Sequence, residues 1–290
     1  MQPALRVKMF VFSLFLAFGA CQADTPIKHV VFDLGGVLFE KHDFTMACHI
    51  GLMDLITQLF TGHRYKEPKF LMYDLFEQAG GIQDPANPYH VMDMYGDSLP
   101  QLFVDWQIGA RSSKEIRRIL KSKVKELKQT DHYHHPRAYR IAKRGAVAMT
   151  HPEIIADIMR VSSKGLDLLK RIYFENDAEG NPKYNLFVLS NWDPESFELL
   201  YEAEENHKVF KYFNPCHIMT SGKWGFAKPD PKFFKLLMLT YDLDPKECLF
   251  IDDQIENIKV AQQLGFTTVH WDYRKASKLI KQLQKMNIIS

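Results

Sequence analysis

From residue 27 onward the chain alternates between short unbroken apolar runs and longer stretches in which apolar residues recur every three or four positions. The unbroken runs are His29–Asp33 (HVVFD), Asn185–Ser190 (NLFVLS), Cys216–Ser221 (CHIMTS), Cys248–Asp253 (CLFIDD) and Phe266–His270 (FTTVH). A strand with one wet face alternates apolar and polar residues, whereas a continuous run predicts a strand covered on both faces, as in a parallel sheet. Between the later runs, Asp193–Asn206, Pro231–Tyr241 and Ile255–Leu264 carry the helical spacing. Pro231 suits a first helical turn and Gly265 a helix end. Strand–helix alternation predicts an α/β fold with a doubly wound, Rossmann-like parallel sheet.

The spacing is uneven. Residues 34–184 separate the first two strands, and a structureless loop of that length does not fit inside a compact domain. Ile50–Phe60, Lys69–Gln78 and Ser113–Leu127 are helix-like, in a region rich in Met and aromatic residues. The pattern predicts a helical cap subdomain inserted after the first strand, over 41–144, with the α/β core formed by 27–40 and 145–290. One core helix over Met149–Ile172 is expected to return the chain to the second strand. Phe70, Met72, Tyr73, Phe76, Met92, Met94 and Tyr95 are expected to form the insert's own core and hinge packing, with a few facing substrate. Glu175–Lys183 (ENDAEGNPK) reads as a turn-rich surface loop.

The first residues differ from the rest. Arg6 and Lys8 precede the apolar run Met9–Ala20 (MFVFSLFLAFGA), and CQAD follows. A basic start, a short apolar centre and small residues before a polar switch predict a secretory signal peptide over 1–23. The run falls short of the about 20 residues a bilayer crossing takes, so no membrane span is expected. Cleavage after Ala23, or lipid attachment at Cys21, would follow. The alternatives are an N-terminal helix buried on the domain, or an early start codon. Export implies a periplasmic or secreted protein; without it the expectation is cytoplasmic.

Charge and cysteine content narrow the function classes. A formal net charge of +2 over 290 residues gives no global basic field, so no nucleic-acid partner is expected. Cys48, Cys216 and Cys248 are scattered, without a C-x-x-C pair or a histidine at ligand spacing, which argues against zinc and a disulfide framework. The run Asp131–His135 (DHYHH), with His151 beyond it, reads as solvated histidines of the insert for the same reason.

Polar groups collect where apolar runs end. Asp33 closes the first run, Ser190 and Asn191 the second, and Asp252 and Asp253 the fourth; Lys228 follows the third, in GFAKPDPKFF. The carboxyl edge of an open α/β sheet is where ligands bind. Three carboxylates converging with one lysine are costly unless a cation and an anion share the site. Mg²⁺, which prefers oxygen ligands, would neutralise the carboxylates, and the lysine and a hydroxyl would hold a phosphate.

Taken in order, FDLGGV, LSNWD, KPDP and FIDDQIENIKVAQQLG resemble the four motifs of the haloacid dehalogenase (HAD) superfamily. The likeness is close over Met149–His270 and looser over Ile27–Arg144, through the insert between the first and second motifs. It implies that Asp33 is the catalytic nucleophile, forming an aspartyl-phosphate. It implies that Ser190 and the Asn191 amide hold phosphoryl oxygens and that Lys228 balances charge. Asp33, the Gly35 backbone carbonyl, Asp252 and Asp253 would form the metal site, with Asp253 the direct ligand; Asn257 would orient that loop. The chain departs from the pattern at Gly35. Most phosphatases of the superfamily carry there a second aspartate, the general acid and base, whose help is typically worth 10²–10⁴-fold. The reading is thus a Mg²⁺-dependent phosphatase-type hydrolase acting on a small phosphorylated metabolite. Two rivals accompany it: a dehalogenase-type hydrolase, against which the Asp252–Asp253 pair argues, and a catalytically weakened binding protein, which Gly35 keeps open.

Overall fold

The structure, a computed structural model, describes residues 26–61, 67–93 and 95–290. The expected signal peptide and Met94 lie outside the described residues. Five parallel strands form the sheet: β1 His29–Phe32, β4 Asn185–Ser190, β5 Ile218–Thr220, β6 Cys248–Asp252 and β7 Thr267–His270, in the order β5-β4-β1-β6-β7. β2 Phe39–Lys41 and β3 Met159–Val161 stand apart from it as an antiparallel pair.

The helices follow two groupings. Between β2 and β3 come α1 Asp43–Ile50, α2 Leu52–Thr61, α3 Pro68–Gly80, α4 Gln101–Gln107, α5 Ser113–Gln129, α6 Pro136–Met149 and α7 Pro152–Ile158. The sheet is flanked by α8 Ser163–Tyr173, α9 Pro194–Glu202, α10 His207–Phe210, α11 Ser221–Trp224, α12 Pro231–Tyr241, α13 Ile255–Gln263 and α14 Ala276–Lys285.

The continuous apolar runs are continuous because both sheet faces are covered. Val30 and Phe32 of β1 point into one layer with Leu168, Leu169, Leu200 and Leu283. Val31, between them, points into the other with Phe233, Phe234, Leu237 and Ala261. All of these are fully buried, and truncating a core phenylalanine of this kind to alanine costs about 3–5 kcal/mol. The helices of the insert have a third core of their own, which includes Leu71, Leu75, Phe76, Trp106, Ile116 and Ile141.

The expected single helix over Met149–Ile172 is not formed. α6 ends at Met149, Pro152 starts α7, and the chain then runs extended through β3 before Ser162 caps α8, its hydroxyl accepting from Gly165 N–H. Proline at a first turn and a serine cap mark two helix starts within one apolar period, so the periodicity runs on through a real break. The break lets β3 pair with β2 in the register Phe39–Val161, Glu40–Arg160, Lys41–Met159. This ribbon carries both chain crossings between sheet and insert, and Arg144, the expected end of the insert, lies within α6.

Candidate active site

Strand order places three functional segments side by side, because β1 lies between β4 and β6. Phe32 is level with Val188 on one side and Ile251 on the other, and the pairing continues with Asp33 N–H donating to Ile251 O at 2.9 Å. The ends of β4, β1 and β6 therefore present Ser190, Asp33 and Asp252–Asp253 at one edge. Lys228 enters from the loop between α11 and α12.

Lys228 is buried at this edge, with Nζ 3.0 Å from Asp33 Oδ1 and 2.7 Å from Asp252 Oδ2. Asp33 Oδ1 also accepts from Leu34 N–H at 2.8 Å, and Ser190 hydrogen-bonds the same carboxylate. Asp252 is saturated: besides Lys228 it accepts from Gln254 N–H and from Asn257 Nδ2, which reaches both of its oxygens at 3.0 and 3.1 Å. Asn257 thus fixes Asp252. Asp253 stands beside them, and carboxylate oxygens of Asp33, Asp252 and Asp253 lie within 4.8 Å of one another.

Three carboxylates against one ammonium leave a formal excess of two negative charges. Burial, aided by Asp252, pushes the Asp33 carboxyl up to about 6 against the pull of Lys228 and Ser190. Burial, with Asp252 and Asp33 adding, pushes Asp253 up to about 8. Burial opposes the charge on Lys228, but the two carboxylates outweigh it and its pKa lies above the ordinary value. A hard divalent cation with oxygen ligands supplies the missing charge, so the donor set fits Mg²⁺.

The two glycines after Leu34 differ in kind. Gly36 has φ +74°, and a Cβ there would lie 2.2 Å from Asp253 Oδ2. No side chain fits without displacing that carboxylate. At Gly35 φ is not in the left-handed range, and a Cβ would meet only Trp192 Cζ3 at 3.8 Å, an ordinary contact. The first glycine is therefore free of steric demand, while the second is required by geometry.

The Asn191 side chain has a structural task beside the anion contact expected of its amide. Its carboxamide grips the backbone of Lys228, accepting from N–H at 2.7 Å and donating to the carbonyl at 2.8 Å. Only its backbone amide is left to meet an anion. Trp192 is buried, with its ring over Gly35.

Two supports had no signal in the sequence. Ser221, fully buried, accepts from Trp192 N–H at 2.8 Å and donates to Gln107 O of the insert at 2.8 Å. Nearby Gly109, at φ +72°, packs so closely that a Cβ would lie 2.5 Å from Gly222 O. His270 Nε2 donates to the Asp253 backbone carbonyl at 2.8 Å. Ala227, just before Lys228, is buried in the insert's apolar core, which joins that core to the lysine loop.

The histidines of DHYHH are taken up locally. His132 Nε2 is 2.9 Å from Asp74, His134 is 3.4 Å from Asp131, and His135 caps α6 by accepting from Arg137 N–H. Met72, Tyr73 and Phe76 are buried in the insert, whereas Phe70 and Tyr95 are exposed. Among the described residues, Cys48, Cys216 and Cys248 are free thiols, and no helix is long and apolar enough to cross a membrane.

Compared with known proteins, residues 27–265 match the haloacid dehalogenase-like hydrolase family. A D-ribitol-5-phosphate phosphatase of Bacteroides thetaiotaomicron is 30% identical over 88 residues, 29% of this chain and 42% of that protein. Mouse acyl-CoA dehydrogenase family member 10 is 37% identical over 62 residues, 21% of this chain and 6% of that protein. The chain thus spans less than half the length of these curated relatives. Among solved structures, a HAD-like family hydrolase of Porphyromonas gingivalis superposes with a TM-score of 0.51 at 21% identity, over 90% of this chain and 99% of that one. A HAD family enzyme of Bacteroides thetaiotaomicron gives 0.52 at 22% identity, over 86% and 95%. Both likenesses concern the fold.

Proposed function

Because the chain belongs to the haloacid dehalogenase-like hydrolases, we propose that it is a Mg²⁺-dependent phosphatase that hydrolyses a small phosphorylated metabolite through Asp33. One observation carries this reading: Lys228 buried between Asp33 and Asp252, with Asp253 completing an all-oxygen cluster two positive charges short of neutrality. A site built for a carboxylate-bearing haloacid would repel its substrate with these groups. A site for a phosphoryl group and a divalent cation accepts both. The match to a sugar-alcohol phosphate phosphatase over 88 residues supports the same substrate class.

In this reading Asp33, held by Leu34 N–H, Ser190 and Lys228, attacks phosphorus as a carboxylate. The phosphoester oxygen leaves and an aspartyl-phosphate forms, which water then hydrolyses. Lys228 balances negative charge on the transferring group, and Ser190 with the Asn191 backbone amide holds its oxygens. Bound to Asp33, Asp253 and the Gly35 carbonyl with Asp252 alongside, Mg²⁺ would neutralise charge that the protein leaves uncompensated. Gly35 offers no side chain, so the leaving oxygen takes its proton from solvent, and turnover is slow beside relatives with a second aspartate. The helical insert, joined through the β2–β3 ribbon and resting on Ser221 and Gly222, serves as the cap that closes over substrate.

The test is phosphate release from a panel of phosphorylated metabolites with Mg²⁺ and with EDTA, beside halide release from haloacids. Phosphate release that needs Mg²⁺ and vanishes in Asp33→Asn is expected. Metal-independent halide release, or activity that survives Asp33→Asn unchanged, would refute the reading. Failure of beryllium fluoride to trap Asp33, with metal binding intact, would favour the binding protein.

A further inference from the structure

Helix α5 has two faces of unlike chemistry. Ile116, Leu120 and Leu127 are buried in the insert's core, against α3 and α6. The opposite face exposes Lys114, Arg118, Lys121, Lys125 and Lys128. Steps of four, three, four and three residues keep these five on one side of the helix. At about 1.5 Å per residue they form a straight row about 21 Å long. Arg117 flanks the row, donating to Thr150 O at 2.8 Å. With Ser122 and four of the row, it lines a shallow hollow of about 580 Å³.

Among the described residues, no acidic side chain pairs with this row. Glu115 is paired with Arg111 and Glu126 with Lys123. Lys114, Arg118, Lys121 and Lys125 have no ion-pair partner among the described residues. The whole chain carries only +2, so the row is a local concentration and not the surface of a basic protein. Like charges three and four apart destabilise a helix, and an external anionic surface relieves that repulsion.

We propose that this face of α5 docks on an anionic phospholipid surface. A straight row of cations along one helix face matches a flat array of headgroup phosphates. No aromatic residue occurs between Ser113 and Gln129, so the face lacks the stacking platforms of a single-strand nucleic-acid site. Lipid attachment at Cys21, one of the two fates expected of the N-terminal segment, would supply a second contact with a bilayer. A short apolar or lipid attachment joined to a basic patch holds where either alone releases.

The test uses the full chain in flotation with vesicles of phosphatidylcholine alone and vesicles in which a third of the lipid is phosphatidylglycerol. The expected result is at least a tenfold preference for the anionic vesicles at low salt, lost at molar salt. The combined Lys114→Gln, Arg118→Gln, Lys121→Gln and Lys125→Gln variant should lower that preference by about tenfold or more. Its partition into pure phosphatidylcholine and its thermal melt should be unchanged, since all four side chains are exposed. A variant that keeps the preference, or a wild type that shows none, overturns the proposal. So does binding to an RNA homopolymer, at the same salt, without any lipid preference. The salt response of the wild type decides the matter even where the variant fails to fold.

Discussion

The carboxamide of Asn191 holds the backbone of Lys228 from both sides, oxygen to N–H at 2.7 Å and nitrogen to carbonyl at 2.8 Å. The ammonium of that lysine lies between Asp33 and Asp252, so the loop's position sets where the cation sits. Asn191→Ala leaves a partly buried peptide unit unmatched, which costs about 1–3 kcal/mol. It should lower the melting temperature and reduce phosphate release together. Asn191→Asp should be worse, because it replaces the donor to the Lys228 carbonyl with an acceptor. An Asn191→Asp protein as stable and as active as the wild type would rule out this role.

The two glycines should separate in mutagenesis. Gly35→Asp has room at Cβ, so it should fold with a melting temperature close to the wild type and release phosphate at least as fast. Gly36→Ala puts a methyl group against the Asp253 carboxylate at a left-handed φ. Strain of that kind costs of order 1–3 kcal/mol, and the variant should bind Mg²⁺ more weakly. Isothermal titration and thermal melts of the two variants check this; equal damage from both would refute the distinction.

Stability should depend on pH through the carboxylate cluster. Folded Asp33 and Asp253 hold their protons up to about 6 and about 8, whereas the unfolded chain releases them near 4. Between pH 4 and 8 the unfolded state therefore binds fewer protons, and metal-free protein loses stability as pH rises through that window. Mg²⁺ favours the ionised form of both groups, so its stabilising effect should grow from pH 5 to pH 8, with proton release on binding. Melting curves with Mg²⁺ and with EDTA across this range test it, and a Mg²⁺ effect that is flat with pH would contradict it.

Ser221 joins the insert to the sheet edge through one hydroxyl. Ser221→Ala strands the Trp192 N–H and the Gln107 carbonyl, a loss of about 1–3 kcal/mol where neither finds water. Faster amide exchange is expected in α4, together with a raised KM. Unchanged exchange in α4 would show that the contact does not restrain the insert.

The sheet was legible in the sequence because strands buried on both faces must be apolar throughout, and that demand is local. Val30, Val31 and Phe32 announce β1 without reference to any distant residue, and Asp33 stands out as the first polar group after them. Convergence of Asp33, Ser190, Lys228, Asp252 and Asp253 was expected from strand ends and from motif resemblance, but their mutual contacts were not. That the Asn191 carboxamide grips the Lys228 backbone could not be read from its type, since a carboxamide serves an anion or a backbone equally well. Tertiary structure alone decided the β2–β3 ribbon, whose three-residue strands have too short a period to read and pair across the whole insert. It alone distinguished Gly36 from Gly35, because the carboxylate that excludes a side chain at Gly36 arrives from the far end of the chain, on Asp253 at the end of β6. Periodicity reports which residues are buried; which of them meet is set by strand order, and strand order is not a local property.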